Sequence, residues 1–516
     1  MKLNYKRTIL VGFAFFLICA FWQAYDATIP VILTNKYGMS QFWSGVIMAL
    51  DNVLALFMLP LFGSISDKCK SKRGKRTPFI IIGTIIAALT LVALTFVDNA
   101  QLQKISDYTA LDDQQTLTRI YEQQGETKLK TPEGDEFVLK DMFTAEEFSE
   151  IQMNETDPVT GKSKVTTAYT NYVAPAREAC VAEITAQDSS SLIVFVALLL
   201  VLLVSMSTFR SPAVALMPDV TIKPLRSKAN AVINLMGTAG GIVVLVLGIV
   251  FATSSAANAF MSYSVYYAVI GGLMLLSLLI FLLTVREPAW AKQMQEDTVR
   301  YGVEEETVQD TGRKLSGSEK KSLVLILLSV ALWYFGYNAV TSKYAVYATN
   351  ILDMDYNTTM LLAQGAAIVA YLPAGMIASK IGRKKTILAG VAILAAAFGV
   401  ASFMRAGSPV MLMNVLFITA GVGWATINVN SFPMAVELSS GSDVGKYTGY
   451  YYTASMAAQT LTPLFSGYLM DHVADTVLFP YAAIFVALAI VTMLFVKHGD
   501  NRVEAKKGLD AFDIED

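Results

Sequence analysis

The chain has 516 residues, of which 54% are apolar and only 16% charged, with a formal net charge of −2. Soluble proteins carry about a quarter of their residues charged. Apolar runs of about 20 residues, long enough to cross a hydrocarbon core of roughly 30 Å, recur throughout, so the composition excludes a soluble globular protein and predicts an all-α polytopic membrane protein.

Hydropathy predicts twelve spans, near residues 8–33, 41–66, 77–98, 190–216, 230–253, 262–285, 321–349, 357–380, 386–404, 409–434, 447–470 and 476–497. The first run is too long for a signal-peptide core and no cleavage site follows it, so it reads as a retained span. Asp51 to Ile82 organises the chain: an apolar arm with a carboxylate in it, Leu59-Pro60, Gly63 and Asp67, then Lys68, Lys70, Lys72, Arg73, Lys75 and Arg76, then a second apolar arm. The pattern returns from Leu372 to Leu388. Basic residues also gather at Lys223, Arg226 and Lys228, in the 286–320 linker, and at Lys380, Arg383, Lys384 and Lys385. Lys and Arg near span ends stay in the cytoplasm, so both termini and the linker are expected there, in the cell (cytoplasmic) membrane.

Residues 98–188, between spans 3 and 4, hold 18 acidic against 8 basic residues. Such an acidic insert belongs on the outer side, and Ile120, Tyr121, Phe137, Val138, Leu139, Met142, Phe143 and Phe148 predict a small folded cap. Asn154-Glu155-Thr156 matches a glycosylation sequon, a motif common by chance. Cys19, Cys69 and Cys180 suit neither a disulfide framework nor a metal site.

The halves overlay: Ala24-Tyr25-Asp26-Ala27 of span 1 on Gly336-Tyr337-Asn338-Ala339 of span 7, and Pro212, Asp219 and Lys228 on Pro433, Glu437 and Lys446. The expected fold is twelve transmembrane helices in two six-helix pseudo-repeats with a small extracytoplasmic insert, an alternating-access architecture. The division is 1–97 (spans 1–3), 98–188 (insert), 189–285 (spans 4–6), 286–320 (linker), 321–497 (spans 7–12) and 498–516 (tail).

Gly63-x-x-x-Asp67 followed by Arg73-Gly-Lys-Arg-Thr-Pro-Phe79 resembles the cytoplasmic signature of the major facilitator superfamily. Its longer turn and Arg-Thr-Pro-Phe ending are similar to the sucrose-type sugar symporters, near the glycoside–pentoside–hexuronide cation symporters. Phe209-Arg210-Ser-Pro-Ala-Val-Ala-Leu-Met-Pro-Asp219, continuing to Arg226-Ser-Lys-Ala-Asn-Ala231, resembles their span 4–5 region. The resemblance covers the twelve-span body and not residues 98–188. It implies proton- or cation-coupled symport of a disaccharide or short oligosaccharide, commonly a glucoside such as sucrose or maltose. Two features depart from the pattern: the membrane part of span 4 has no acid, and Ser379 stands where the first turn has Asp67.

Ionisable groups within spans are costly and usually functional. Asp51, about ten residues into span 2, lies roughly 15 Å deep at 1.5 Å per residue; it either couples transport to an ion or ties spans together. Asp26 in span 1 is either a coupling or sugar-binding group or a water-exposed vestibule carboxylate. Lys343 either meets Asp26 across the cavity mouth or snorkels to the outer interface. Arg210 either lines the inner cavity or anchors at the cytoplasmic interface. Sugars stack on aromatic faces and bond amides, and Trp22, Gln23, Tyr25, Asn52, Tyr334, Tyr337, Asn338, Gln364, Trp424, Asn428 and Gln459 supply such groups within spans. Asp67, Arg73, Arg76, Asp219, Arg383 and Glu437, with Arg210, are candidate cytoplasmic gate residues.

No phosphate loop, nucleophile elbow or metal cluster is present in the sequence, so no catalysis, cofactor or metal is expected. The expected partners are a sugar, a proton or sodium ion and the bilayer, with no nucleic acid, for a monomeric symporter. The rival readings are an exporter of small organic compounds on the same fold, whose cavity would carry fewer amides, and a non-transporting sensor.

Overall fold

The computed structural model describes residues 3–156, 163–222, 225–300, 315–438 and 444–499. Expectations on Lys223, on linker residues 301–314 and on tail residues 500–516 fall outside these, as do those on the side chains of Lys228, Ser379 and Lys446.

Twelve long helices form the body: span 1 (Tyr5–Asn35), span 2 (Gln41–Asp67), span 3 (Thr77–Lys104), span 4 (Ser190–Val220), span 5 (Arg226–Val250), span 6 (Ser264–Thr284), span 7 (Gly317–Val346), span 8 (Tyr356–Ile381), span 9 (Arg383–Ala401), span 10 (Val410–Val436), span 11 (Val444–His472) and span 12 (Leu478–Leu494). Among the described residues ten helices are long and apolar enough to cross a membrane, and spans 8 and 11 complete the twelve. Several helices outrun the predicted spans, span 3 by six residues, because hydropathy marks the apolar band while the helix continues into the polar region. Local signals set the ends. Asn4 caps span 1, Asp355 accepts from Asn357 N and Thr358 N to start span 8, and Ser316 with Glu319 forms a capping box for span 7.

Packing repeats in the two halves. Spans 1 and 5, 3 and 4, 2 and 4, 1 and 6, and 3 and 6 pack together, as do their counterparts 7 and 11, 9 and 10, 8 and 10, 7 and 12, and 9 and 12. Each half has its own apolar core. The halves meet through two repeat-related pairs, spans 2 with 11 and 5 with 8, and through spans 1 with 7.

The insert folds over one end of this bundle. Its helices Gln114–Gln124 and Ala174–Gln187 and the hairpin Lys128–Lys130/Glu136–Val138 enclose Ile105, Leu117, Ile120, Leu139, Phe148 and Cys180. Of the residues expected to build it, Tyr121 and Phe137 are also buried, whereas Met142 is half exposed. Ala256 and Phe260 of the span 5–6 connection pack on this core, joining the cap to the first half. The opposite end carries the start of span 1, the end of span 12 and the basic turns and is termed the basic face.

Candidate functional site

A cavity of 580 Å³ lies between the halves, within the roughly 300–1,000 Å³ range of small-ligand pockets. Spans 1, 4, 5, 7, 8, 9 and 10 line it. Of the predicted residues it brings together Trp22, Gln23, Asp26, Arg210, Tyr337, Gln364, Trp424 and Asn428. A second lobe of 210 Å³ shares Trp22, Asp26, Arg210 and Thr341 with it and adds Asp51, Asn52, Asn338 and Gln459.

The large lobe has an aromatic wall. Tyr337 stacks on Trp424 with centroids 3.6 Å apart and planes 5° from parallel, and Tyr334 meets the indole edge-on at 5.2 Å. Asn428 donates to the Tyr371 hydroxyl at 3.3 Å. Across the halves, Gln364 donates to Gln23 at 2.7 Å, and Gln23 donates to the Tyr356 hydroxyl at 3.3 Å. Trp22 Nε1 and Asn338 Nδ2 are buried donors without a hydrogen-bond partner. A buried unpaired donor costs about 1–3 kcal/mol, so these two favour a polar ligand. In the smaller lobe Asn52 donates to Asp51 at 2.8 Å. The Arg210 guanidinium sits 5.7 Å from the Trp22 ring centre.

Three predicted ligand residues lie elsewhere. Tyr25 is buried beside Phe21 and Trp22, outside both lobes. Tyr334 stands behind Trp424 and bonds Tyr451. Lys343 neither meets Asp26 nor snorkels to an interface. It is fully buried and donates to the Gln41 carbonyl, where span 7 meets span 2, with Asp471 and Asp475 as the counter-charges that hold its ammonium there.

The expected gate residues also separate. Arg76, not Arg73, is the hub: its guanidinium binds Asp67 at 2.5 Å, Asp219 at 2.7 Å and Ser66 Oγ at 2.5 Å. Arg73 is exposed on the turn. Arg383 pairs with Glu437 at 2.7 Å in the second half. Both clusters stay within one half. Arg210 belongs to the cavity rather than to the basic-face clusters.

Sequence reading missed four features. Glu287, after span 6, accepts from Lys75 N (2.6 Å), Arg76 N (2.9 Å), Thr77 N (2.8 Å) and Thr77 Oγ1 (2.7 Å), capping span 3 from a distant segment. Gly74 makes room for it at φ +111°, since a Cβ there would lie 2.2 Å from the Glu287 carboxyl carbon. Asp471, in the last turn of span 11, caps the start of span 2 through Gln41 N at 2.7 Å and Phe42 N at 2.8 Å. Asn35 and Asn350 bond each other, and Asn357 bonds Thr253 and Ser254, also between the halves. Lys36 and Asp98 form a buried pair at 2.7 Å. An ionisable residue in a span's last turn was a legible signal for Asp471; its partner was not, because backbone donors carry no residue signature. Asn35 with Asn350, Asn357 with Thr253 and Ser254, Lys343 with Gln41 and Asp471 with span 2 join the halves on the cap side of the cavity, which is closed there.

Residues 179–429 and 356–512 match the major facilitator superfamily profile, and residues 10–104 match that of MFS/sugar transport proteins. The chain belongs to the major facilitator superfamily, a class of membrane transporters rather than enzymes. It is similar to the sucrose transport protein SUC4 of Arabidopsis thaliana, 35% identical over 60 residues, 12% of each chain. It is also similar to a glucose/galactose transporter of Brucella abortus, 24% identical over 196 residues, 34% of this chain and 47% of that one. The chain thus spans less than half the length of these curated relatives. In fold it resembles the inward open conformation of the xylose transporter XylE from E. coli, with TM-score 0.55 and 15% identity over 97% of this chain and 98% of that one.

Proposed function

We propose that this protein is a secondary active symporter that carries a disaccharide or short oligosaccharide, a glucoside, with protons across the cytoplasmic membrane, as a monomer with both termini in the cytoplasm. The observation that carries the reading is the pair of joined lobes. The larger offers the Tyr337–Trp424 wall for sugar ring faces and Asn428, Gln23 and Gln364 for hydroxyls. The smaller gathers Asp51, Asp26 and Arg210, a set of charges that responds to protonation. Trp22, Asp26, Arg210 and Thr341 belong to both, so a change of charge in one alters the walls of the other. The sugar names of the relatives and the basic turns on one face agree with this substrate class and orientation. Arg76 with Asp67 and Asp219, and Arg383 with Glu437, serve as basic-face clusters whose rearrangement accompanies closure of that side.

Uptake of a labelled glucoside panel into proteoliposomes, under an imposed proton or sodium gradient, tests this. Accumulation driven by an inward proton gradient is expected. Uphill movement driven by sodium alone transfers coupling to that ion, and accumulation of none of the sugars under either gradient removes the symport reading.

A further inference from the structure

We propose that the insert is a strap, fixed to the first half and docked on the second, that holds the capped side shut and biases the protein toward the conformation open at the basic face. On the first half its attachment is rigid. Gln101 of span 3 donates to Thr185 Oγ1 at 3.1 Å in the cap's last helix and accepts from Ser191 of span 4 at 2.6 Å. Lys104 pairs with Asp188 at 2.6 Å, and the cap's apolar core continues into Phe260.

On the second half four bonds reach three separate segments. Val165 N donates to Asp353 Oδ2 at 2.9 Å after span 7. Lys130 Nζ donates to the His472 carbonyl at 3.3 Å, and Thr476 N donates to the Pro132 carbonyl at 3.2 Å, in the span 11–12 connection. Arg405, after span 9, meets Glu133 at 3.2 Å. Two backbone conformations serve the docking. Asp353 is a non-glycine residue at φ +51°, and Gly134 sits at φ +96° with its α-carbon against the Val473 carbonyl, where a Cβ would approach to 2.3 Å. A left-handed non-glycine residue is uncommon in ordered backbone, and here it aims a carboxylate at the cap.

The logic is geometric. The two halves reach the alternative state by rocking apart at the capped face. A body anchored on one half and bonded to three segments of the other must release all of them for that motion. The strap thus adds its docking energy to the conformation seen here, and its loss moves the population the other way.

The test needs no substrate. Cys19 lines the cavity and reports its accessibility from the basic face; Cys69 on the basic turn is replaced by Ser, and Cys180 is buried. Asp353→Gly removes one carboxylate while tolerating the backbone conformation, and Glu133→Arg sets a like charge against Arg405. Together they are expected to lower the equilibrium constant for the conformation open at the basic face by about fivefold, the change that two lost contacts produce in a two-state equilibrium, read as slower thiol labelling of Cys19 from that face. Adding Arg405→Glu restores the ion pair and part of the labelling. Parent-like labelling in the double variant overturns the strap, as does a decrease that Arg405→Glu leaves untouched.

Discussion

Asp51 shares its lobe with Asp26 and Arg210, two charged neighbours on spans 1 and 4. Its one named hydrogen-bond partner is an amide, so removing its charge need not break an ion pair that supports the fold. Asp51→Asn is expected to abolish gradient-driven accumulation while leaving sugar exchange measurable in proteoliposomes. A mutant that concentrates substrate like the parent makes Asp51 structural and moves the coupling role to Asp26. Lys36 and Asp98 contrast with this, since each is the other's buried counter-charge, at 0% and 1% side-chain exposure. Breaking such a pair from one side costs about 3–5 kcal/mol because a charge is left unpaired, so that pair reads as support for the cap's root.

At the scale of elements, helix ends are controlled from far along the chain. The start of span 3 has no side-chain cap of its own, and Glu287 supplies one from beyond span 6. This holds the turn bearing Arg76 in the position where its guanidinium meets Asp67 and Asp219. Replacing a helix-capping acceptor costs about 0.5–2 kcal/mol. Glu287→Ala is therefore expected to lower the thermal midpoint modestly and to loosen the basic turn, read as faster modification of Cys69. Unchanged Cys69 reactivity would confine Glu287 to a local role. The same device joins the halves where Asp471 caps span 2.

Across the whole molecule, the cap face encloses a small vestibule lined by Glu178 and Arg177 of the cap, Gln41, and Asp353 and Asp475 of the second half. Glu178 is exposed to this space, and desolvation there, with Asp475 and Asp471 facing it, pushes its carboxyl up from its ordinary 4.5 to about 8; the Asp475 carboxyl rises with it, to about 7. The Arg177 guanidinium is turned to the carbonyls of Tyr108, Ala110 and Leu111, whereas the Lys343 ammonium, which donates to Gln41, also faces Asp471 and Asp475. Parting of the halves carries both aspartates away, so the closed cap binds the Glu178 proton more tightly than the open one. Its contribution to closure is present in full below pH 4.5 and is lost as pH rises through about 8. Relative to a free thiol labelled at the same pH, Cys19 labelling from the basic face should therefore fall between pH 5 and pH 9 (about the range of that loss), and Glu178→Gln should reduce that fall. A wild-type profile retained in that variant assigns the titration to another group.

The sequence by itself determined the twelve spans, the doubled half, the capped insert and the pairing chemistry at the basic turns, because hydropathy, repeat register and charge bias act locally along the chain. It also placed Trp22, Gln23 and Tyr337 on helices that face one space, since pseudo-symmetry sends spans 1 and 7 to the same cavity. Only the tertiary structure separated Tyr25 and Tyr334 from that space: a helix has several faces, and neighbouring helices decide which one is open. It alone withdrew Lys343 to a backbone carbonyl, decided for the cavity between the two readings of Arg210, chose Arg76 over Arg73 and supplied Glu287 and Asp471 as caps. Each of these depends on contacts between segments far apart in the chain, and a carboxylate's partner among backbone N–H groups leaves no mark in the sequence.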